Sequence, residues 1–394
     1  MKVVLISHEF PPFFFGGVGS HCYNLAYNLA KKGLHVTVLA GGSKEIEIKR
    51  MNNRLEVIRL PYFDFPSRPL WFQIRNFQVF SKLLNNYDVI HVVDAQSGVL
   101  PIHIAKKLEK PVVTSIHSVP PIFTLKNLVY CPLRDISLGD IGLDFFENPL
   151  RTFATKFCLL NSSHVISCGS YALEKMKTYL GIEIQKTTVI YNGISFGEIK
   201  HYLPLYDDNI AECAKIVFMG RLFYFKGVVH LIRALASLKK DLKQFSVEIF
   251  GEGPIKNKIV KLASSLGLKN EVHFRGFLND RSKLLKEILE AKVVVLPSLH
   301  EVGPSIAALE AMACKKPVVA FDRPFTREFI VSMQNGLLAK PYDVDDFAKK
   351  LYLLLTDTDL CAKLGQSAHE YVKENHNWST LVKEYIKIYS MVSS

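Results

Sequence analysis

The chain has 394 residues, of which 48% are hydrophobic and 22% charged, a composition that excludes a disordered protein and leaves room for two domains of ordinary size. Its formal net charge of +12 favours an anionic partner. Lys and Arg are scattered, with no dense arm or tail, so a nucleic-acid-binding protein is not expected.

The first unit reads as a strand (Val3 to Ile6), a Pro/Phe/Gly loop (Phe10 to Gly19) and a helix capped by Ser20. In that helix Cys22, Leu25, Ala26, Leu29 and Ala30 recur at i, i+3, i+4, i+7 and i+8, one buried face, and Gly33 ends it. His35 to Leu39 is the next strand, so the sheet is parallel with a right-handed crossover. The loop Gly16-Gly17-Val18-Gly19 invites a dinucleotide reading and fails it. The third Gly is replaced by Cys22, and the second strand ends in Ala40-Gly41-Gly42 without a ribose-binding acid. A glycine loop that admits a ligand to backbone N–H groups, or a plain tight turn, remains.

Val89 to Val93 and Pro111 to His117 read as buried strands, the second placing His117 at its carboxyl end, where open α/β sheets hold ligands. His164 to Ser167 is a strand, followed by a helix from about Ser170, and Val189 to Gly193 closes this half. Two segments interrupt the alternation. Residues 69–84 mix Trp71, Phe72, Ile74, Phe77 and Phe80 with Arg75 and Lys82, and 118–160 is long and aromatic. Both read either as core packing or as a peripheral membrane contact.

Residues 194–214 lack periodicity and mark a domain boundary. The βαβ theme then restarts. Lys215 to Met219 is a strand, and Gly220-Arg221 and Lys226-Gly227 lie in the loop before the helix Val228 to Lys239. Ser246 to Phe250 leads into Gly251-Glu252-Gly253-Pro254, and Val272 to Phe274 into Arg275-Gly276-Phe277. The densest chemistry follows Val293 to Leu296. A polar loop carries Ser298, Glu301, Gly303, Pro304 and Ser305, and a helix carries Glu310. Free N–H groups at that helix start suit a phosphate. Ser298-x-x-Glu301 also matches a capping box, so Glu301 is either a site carboxylate or a cap. Pro317 to Ala320 is a strand. A last helix bears Trp378, Leu381, Val382, Tyr385, Ile386 and Tyr389 as one apolar stripe. The expected division is 1–200, with the C-terminal helix 376–394 packing back on it, and 201–375.

Seven dispersed Cys with no CxxC pair argue against disulfides and structural zinc. The start is too short for a signal peptide and no stretch suits a bilayer span, so the expected place is the cytoplasm, at the inner face of the plasma membrane if the aromatic segments touch lipid. Asp343-Val344-Asp345 and Asp357-Thr358-Asp359 imitate metal motifs but sit in helix-cap contexts.

Taken in order, Gly16-Gly17, His117, Asn192-Gly193, Gly220-Arg221, Lys226-Gly227, Gly251-Glu252-Gly253-Pro254, Phe274 with Gly276, Pro297 to Ala313, Pro317-Val318-Val319 and Asn335 to Leu338 resemble the family-4, or group 1, retaining glycosyltransferases. Each motif alone is weak, and the ordered series over nearly the whole chain is specific. The resemblance implies the GT-B fold, two Rossmann-like βαβ domains with parallel sheets facing across an inter-domain cleft. It implies transfer of a hexose, with retention, from a UDP- or GDP-sugar to a hydroxyl of a sugar or lipid-linked acceptor, with no metal or other cofactor.

The candidate catalytic residues are His117, Arg221, Lys226 and Glu301. By resemblance Arg221 and Lys226 bind the diphosphate, His117 contacts the donor sugar and Glu310 holds ribose hydroxyls. Gly16, Gly17 and the loop Gly303-Pro304-Ser305 join the donor-binding set, with Arg275 and Gly276 at the base pocket. In one respect the chain departs from the family. Eight residues separate Glu301 from Glu310, where the family has seven. That displacement motivates an alternative, a catalytically silent nucleotide-sugar-binding subunit.

Overall fold

The computed structural model describes residues 1–13, 16–62, 68–117, 148–203, 214–278 and 280–394, which form two units. The first takes 1–117 and 148–193 together with Trp378–Ser394, and the second takes Ile194–Asn377.

In the first unit the strands are β1 (Lys2–Ser7), β2 (His35–Ser43), β3 (Glu47–Asn52), β4 (Leu55–Pro61), β5 (Val89–Val92), β6 (Val112–Ile116), β7 (His164–Ser167) and β8 (Thr187–Val189). They form a sheet in the order β3-β4-β2-β1-β5-β6-β7-β8, in which only the β3–β4 pair is antiparallel. Its helices are α1 (Gly17–Lys31), α2 (Arg68–Arg75), α3 (Phe77–Leu83), α4 (Val99–Lys107), α5 (Asn148–Leu160) and α6 (Ser170–Leu180).

In the second unit β9 (Lys215–Met219), β10 (Ser246–Phe250), β11 (Val272–Gly276), β12 (Val293–Leu296), β13 (Val318–Phe321) and β14 (Gly336–Ala339) form an all-parallel sheet in the order β11-β10-β9-β12-β13-β14. Its helices are α7 (Phe196–Tyr202), α8 (Val228–Asp241), α9 (Lys256–Ser265), α10 (Arg281–Glu290), α11 (Ile306–Ala313), α12 (Val344–Thr356) and α13 (Thr358–Asn375). The chain then returns to the first unit as α14 (Trp378–Ser393).

The continuous apolar runs form the central strands because helices cover both faces of each sheet. Successive side chains point to opposite faces. Val3 and Leu5 pack with Leu25 and Leu29 of α1 and with Val382 and Tyr389 of α14, whereas Val4 and Ile6 pack with Phe72, Phe80 and Ile102. In the second unit Ile216 and Phe218 pack with Leu231, Leu235 and Leu351, and Val217 and Met219 with Ile288, Leu309 and Met312.

Two expectations need correcting, and one element goes beyond them. Helix α1 begins at Gly17 with Gly16 at its cap, so Ser20 lies inside it. In its first turn the Gly19 N–H donates to the Glu9 carboxylate at 3.4 Å. The hairpin β3–β4 is absent from the sequence reading because β3 is exposed along its whole length and shows no alternation of burial. Along α14 the buried residues are Trp378, Val382, Tyr385, Ile388 and Tyr389, with Leu381 and Ile386 at the margin. Asp343 and Asp357 do cap helices, accepting from Asp345 and Asp346 N–H and from Leu360 N–H. Among the described residues, no helix is long and apolar enough to cross a membrane. Of the aromatic segment 118–160, residues 118–147 lie outside the described residues.

Candidate active site

Open α/β sheets take ligands at the carboxyl ends of their strands, where the strand order reverses. In the second unit that point lies between β9 and β12, since the chain runs outward through β10 and β11 on one side and through β13 and β14 on the other. The loops leaving β9 and β12 meet there. Leu299 N–H donates to the Phe225 carbonyl at 2.8 Å. Gly227 has φ +68°, and a Cβ on it would lie 1.8 Å from the Pro297 carbonyl oxygen, so only glycine lets the loops approach this closely.

This approach joins three polar side chains. The Lys226 ammonium pairs with Glu301 Oε1, and the buried Ser298 hydroxyl donates to the same oxygen at 2.7 Å. Glu301 therefore does not act as a helix cap: its carboxylate takes a hydroxyl and an ammonium, and Ser305 is the residue at the start of α11. Arg221 opens the β9 loop, exposed, with its guanidinium 5.1 Å from the Phe223 ring centre. Gly303 and Pro304 are buried just before α11.

Two predicted residues have partners that spacing did not reveal. Glu310 is buried on α11 and accepts from Arg281 Nη1 at 2.5 Å. Arg281 is the first residue of α10 and is distant in sequence, so no local pattern pointed to it. Arg275 grips Glu248 on β10 through Nε at 2.5 Å and Nη2 at 3.2 Å. The Glu248 carboxylate holds the Arg275 guanidinium above its usual pKa. Gly276 ends β11, where its carbonyl accepts from Gly251 N–H at 2.8 Å. The structure thus joins Lys226 with Glu301, and places Glu310 and Arg275 in separate ion pairs.

In the first unit the strand order reverses between β1 and β5. Gly16 opens α1 with free space where its Cβ would be, and Gly17 is the first helical residue. His117 follows β6, half-buried, and burial pushes its imidazole down to about 4. Sequence reasoning missed the buried group at the reversal itself. His8 Nδ1 lies 2.9 Å from Ser97 Oγ and 3.6 Å from Asp94 Oδ2, and its Nε2 lies 3.6 Å from Glu9 Oε1. Among the described residues Asp94 Oδ1 is buried without a hydrogen-bond partner, and burial raises its carboxyl above the usual range. The available signal was positional: these residues directly follow the two strands that flank the reversal.

Two family models match the chain, Glycosyltransferase Family 4 over residues 15–197 and Glycosyl transferases group 1 over residues 209–371. An uncharacterized glycosyltransferase of Methanocaldococcus jannaschii is 27% identical over 408 residues, covering 99% of this chain and 98% of its own. Among solved structures, sucrose-phosphate synthase from Thermosynechococcus elongatus superposes with a TM-score of 0.80 at 20% identity, over 99% of this chain and 98% of that one. The Anabaena protein HepE in complex with UDP and glucose gives 0.71 at 19%, over 99% and 100%. These structural likenesses establish the GT-B fold. With one family model on each half, together taking in most of the chain, the protein belongs to the group 1, family 4 glycosyltransferases.

Proposed function

We propose that the protein moves a hexose, with retention, from a UDP- or GDP-sugar to a hydroxyl of a sugar or lipid-linked acceptor. The observation that carries this reading is the meeting of the β9 and β12 loops at the strand reversal of the second unit, which brings Lys226 and Glu301 together beside the start of α11. A nucleoside diphosphate is already a good leaving group, so the reaction needs positive charge on it more than a strong acid. Lys226, Arg221 and the N-terminal amides of α11 supply that charge, each charge-assisted bond being worth about 1.5–3 kcal/mol, and no metal is called for. The bond from the anomeric carbon to the diphosphate oxygen breaks and its electron pair leaves with the phosphate. The acceptor oxygen takes the anomeric carbon from the same face, and its proton passes to the departing phosphate.

Glu310 holds the ribose hydroxyls, oriented by Arg281. Gly303 and Ser305 offer amides to the phosphate and sugar. Arg275 and Gly276 border the base, with Arg275 braced on Glu248. His117, Gly16 and Gly17 serve the donor sugar from the first unit, and the hydroxyl-binding group His8, Glu9 and Asp94 suits the acceptor. HepE was solved with UDP and glucose, which supports a nucleotide sugar as the donor. Peripheral membrane contact has its own support. Trp71, Ile74 and Phe77 are 38%, 48% and 43% exposed, beside Arg75 and Lys82 on α2 and α3. Flotation with anionic vesicles tests it, and protein left at the bottom of the gradient ends that part of the reading.

The central test is a thermal-shift screen of nucleotide sugars followed by transfer assays on sugar and lipid-linked acceptors. A ligand that binds only the folded state stabilises it by about 2.7 kcal/mol at a hundred times its Kd. One UDP- or GDP-sugar is expected to raise the melting temperature and to be consumed. Binding without consumption points to the silent subunit, and no shift with any donor rejects the proposal.

A further inference from the structure

Three histidines lie together in the first unit: His21 on α1 and His91 on β5, both buried against α14, and half-buried His117 after β6. They differ in how their ring nitrogens are satisfied. His91 is closed, with Nδ1 2.5 Å from Tyr389 Oη and Nε2 2.7 Å from Ser115 Oγ. A ring paired on both sides is a packed structural group. His21 is held differently. Its Nε2 lies 3.2 Å from Tyr385 Oη, and the Asn192 side chain interacts with the ring and opposes the lowering of its pKa.

The His21 ring has a further neighbour. The rings of His21 and His117 are 4.1 Å apart, centre to centre. Trp378 meets His21 nearly edge-on at 5.1 Å. His117 Nε2 is itself buried without a partner among the described residues. An unsatisfied buried polar atom costs about 1–3 kcal/mol. An apolar residue at position 21 would leave the buried Tyr385 hydroxyl without its His21 partner.

We infer that His21 is a positioning residue for His117, and that Tyr385 and Trp378 on α14 set the His21 ring that does the positioning. This rests on the reading of His117 as a ligand of the donor sugar. The His21 ring, its plane tilted 55° from that of His117, limits how far the His117 imidazole turns, so one ring edge stays presented. The Tyr385 hydroxyl and the Trp378 indole hold the His21 ring in turn. Burial holds His21 well below its usual pKa, and the neighbouring His117 and His91 add to that effect. Burial also pushes His117 down to about 4, so both rings are neutral near pH 7. The final helix thereby acquires a role beyond covering the sheet.

The test compares Tyr385→Phe, His21→Gln, His21→Phe and His117→Ala with the wild-type chain. It measures kcat, donor Kd, melting temperature and the imidazole 15N resonances. Because a misplacement of about 1 Å costs about 10²-fold, Tyr385→Phe and His21→Gln are expected to lower kcat ~10- to 100-fold while donor Kd stays within about twofold. The His117 resonances, assigned with His117→Ala, shift in both variants. His21→Phe, which keeps a flat ring against His117, recovers part of the kcat lost in His21→Gln. Tyr385→Phe removes one oxygen and keeps the fold even where changes at position 21 do not. Unchanged His117 resonances and unchanged kcat in Tyr385→Phe and His21→Gln overturn the inference. If His117→Ala transfers as well as wild type, the reading of His117 itself fails. The resonances still decide whether His21 sets that ring.

Discussion

At the strand reversal of the second unit, the loops after β9 and β12 carry Arg221, Lys226 and Glu301 beside a helix start. At the reversal of the first unit, the ends of β1 and β5 carry Ser7, His8, Glu9, Asp94 and Ser97, and segments 7–13 and 93–98 contain no Lys or Arg. The two sheets share a parallel architecture and finish it with opposite chemistry. One reversal gathers cations beside a helix start. The other gathers two carboxylates and an imidazole, next to a loop whose Phe10 and Pro11 carbonyls accept from the Arg59 guanidinium.

The sharpest way to break this contrast is Lys226→Met. It removes the half-buried positive partner of Glu301 and the charge assigned to the departing diphosphate. Transfer is expected to fall about 10²- to 10³-fold, the scale of losing one preorganised stabiliser of transition-state charge, with weaker donor binding. Steady-state kinetics and donor titrations measure both. Wild-type donor affinity and rate in this variant would remove the second unit from the donor role.

Next in size is a difference in acid stability. The histidines with depressed values, His21, His91, His117 and His164, all belong to the first unit, with His91 pushed down to about 3 and His117 to about 4 by burial. A depressed imidazole binds its proton more tightly in the unfolded chain. The unfolded state therefore gains protons as pH falls from about 6.5 towards those values, at up to about 1.4 kcal/mol per pH unit for each fully buried ring. Stability is complete above about pH 6.5 and is lost below it. Hydrogen exchange at about pH 5 and about pH 7.5 should show protection in the first unit falling more than in the second. Equal losses in both units would mean that these rings do not govern acid unfolding.

Most of this fold was legible because parallel strands buried on both faces read as unbroken apolar runs: Val3 to Ile6, Ile216 to Met219 and Val293 to Leu296. Hairpin β3–β4 was not legible, since Ile48 is 64% exposed and β3 buries neither face. In the site, local patterns named the residues and missed their partners. Ser298-x-x-Glu301 was readable as a contact, yet a capping box and a hydroxyl-to-carboxylate bond share the same spacing. Arg281 with Glu310 and Glu248 with Arg275 join residues from different βα units, so only the strand order brings them together. The same holds for His8 with Asp94 and for His21 with Tyr385.

The smallest expected effect separates binding chemistry from packing at the first reversal. Burial raises the Asp94 carboxyl, with His8 opposing and Glu9 reinforcing the shift. A raised carboxyl binds its proton more tightly in the folded chain, so stability falls as pH rises from about 3.8 through the folded value, then stays level. Asp94→Asn escapes that loss. Its melting temperature relative to wild type should therefore be higher at about pH 7.5 than at about pH 4, a gradient opposite in sign to that of the histidines in the same unit. Retaining a buried ionisable group at a net loss of stability is what a site does, since such groups are held for their chemistry. Asp94→Asn should accordingly be more stable and slower, with donor Kd unchanged and acceptor KM raised. A variant that is more stable and equally fast would make Asp94 a packing residue, and would leave the acceptor without a carboxylate at the first reversal other than Glu9.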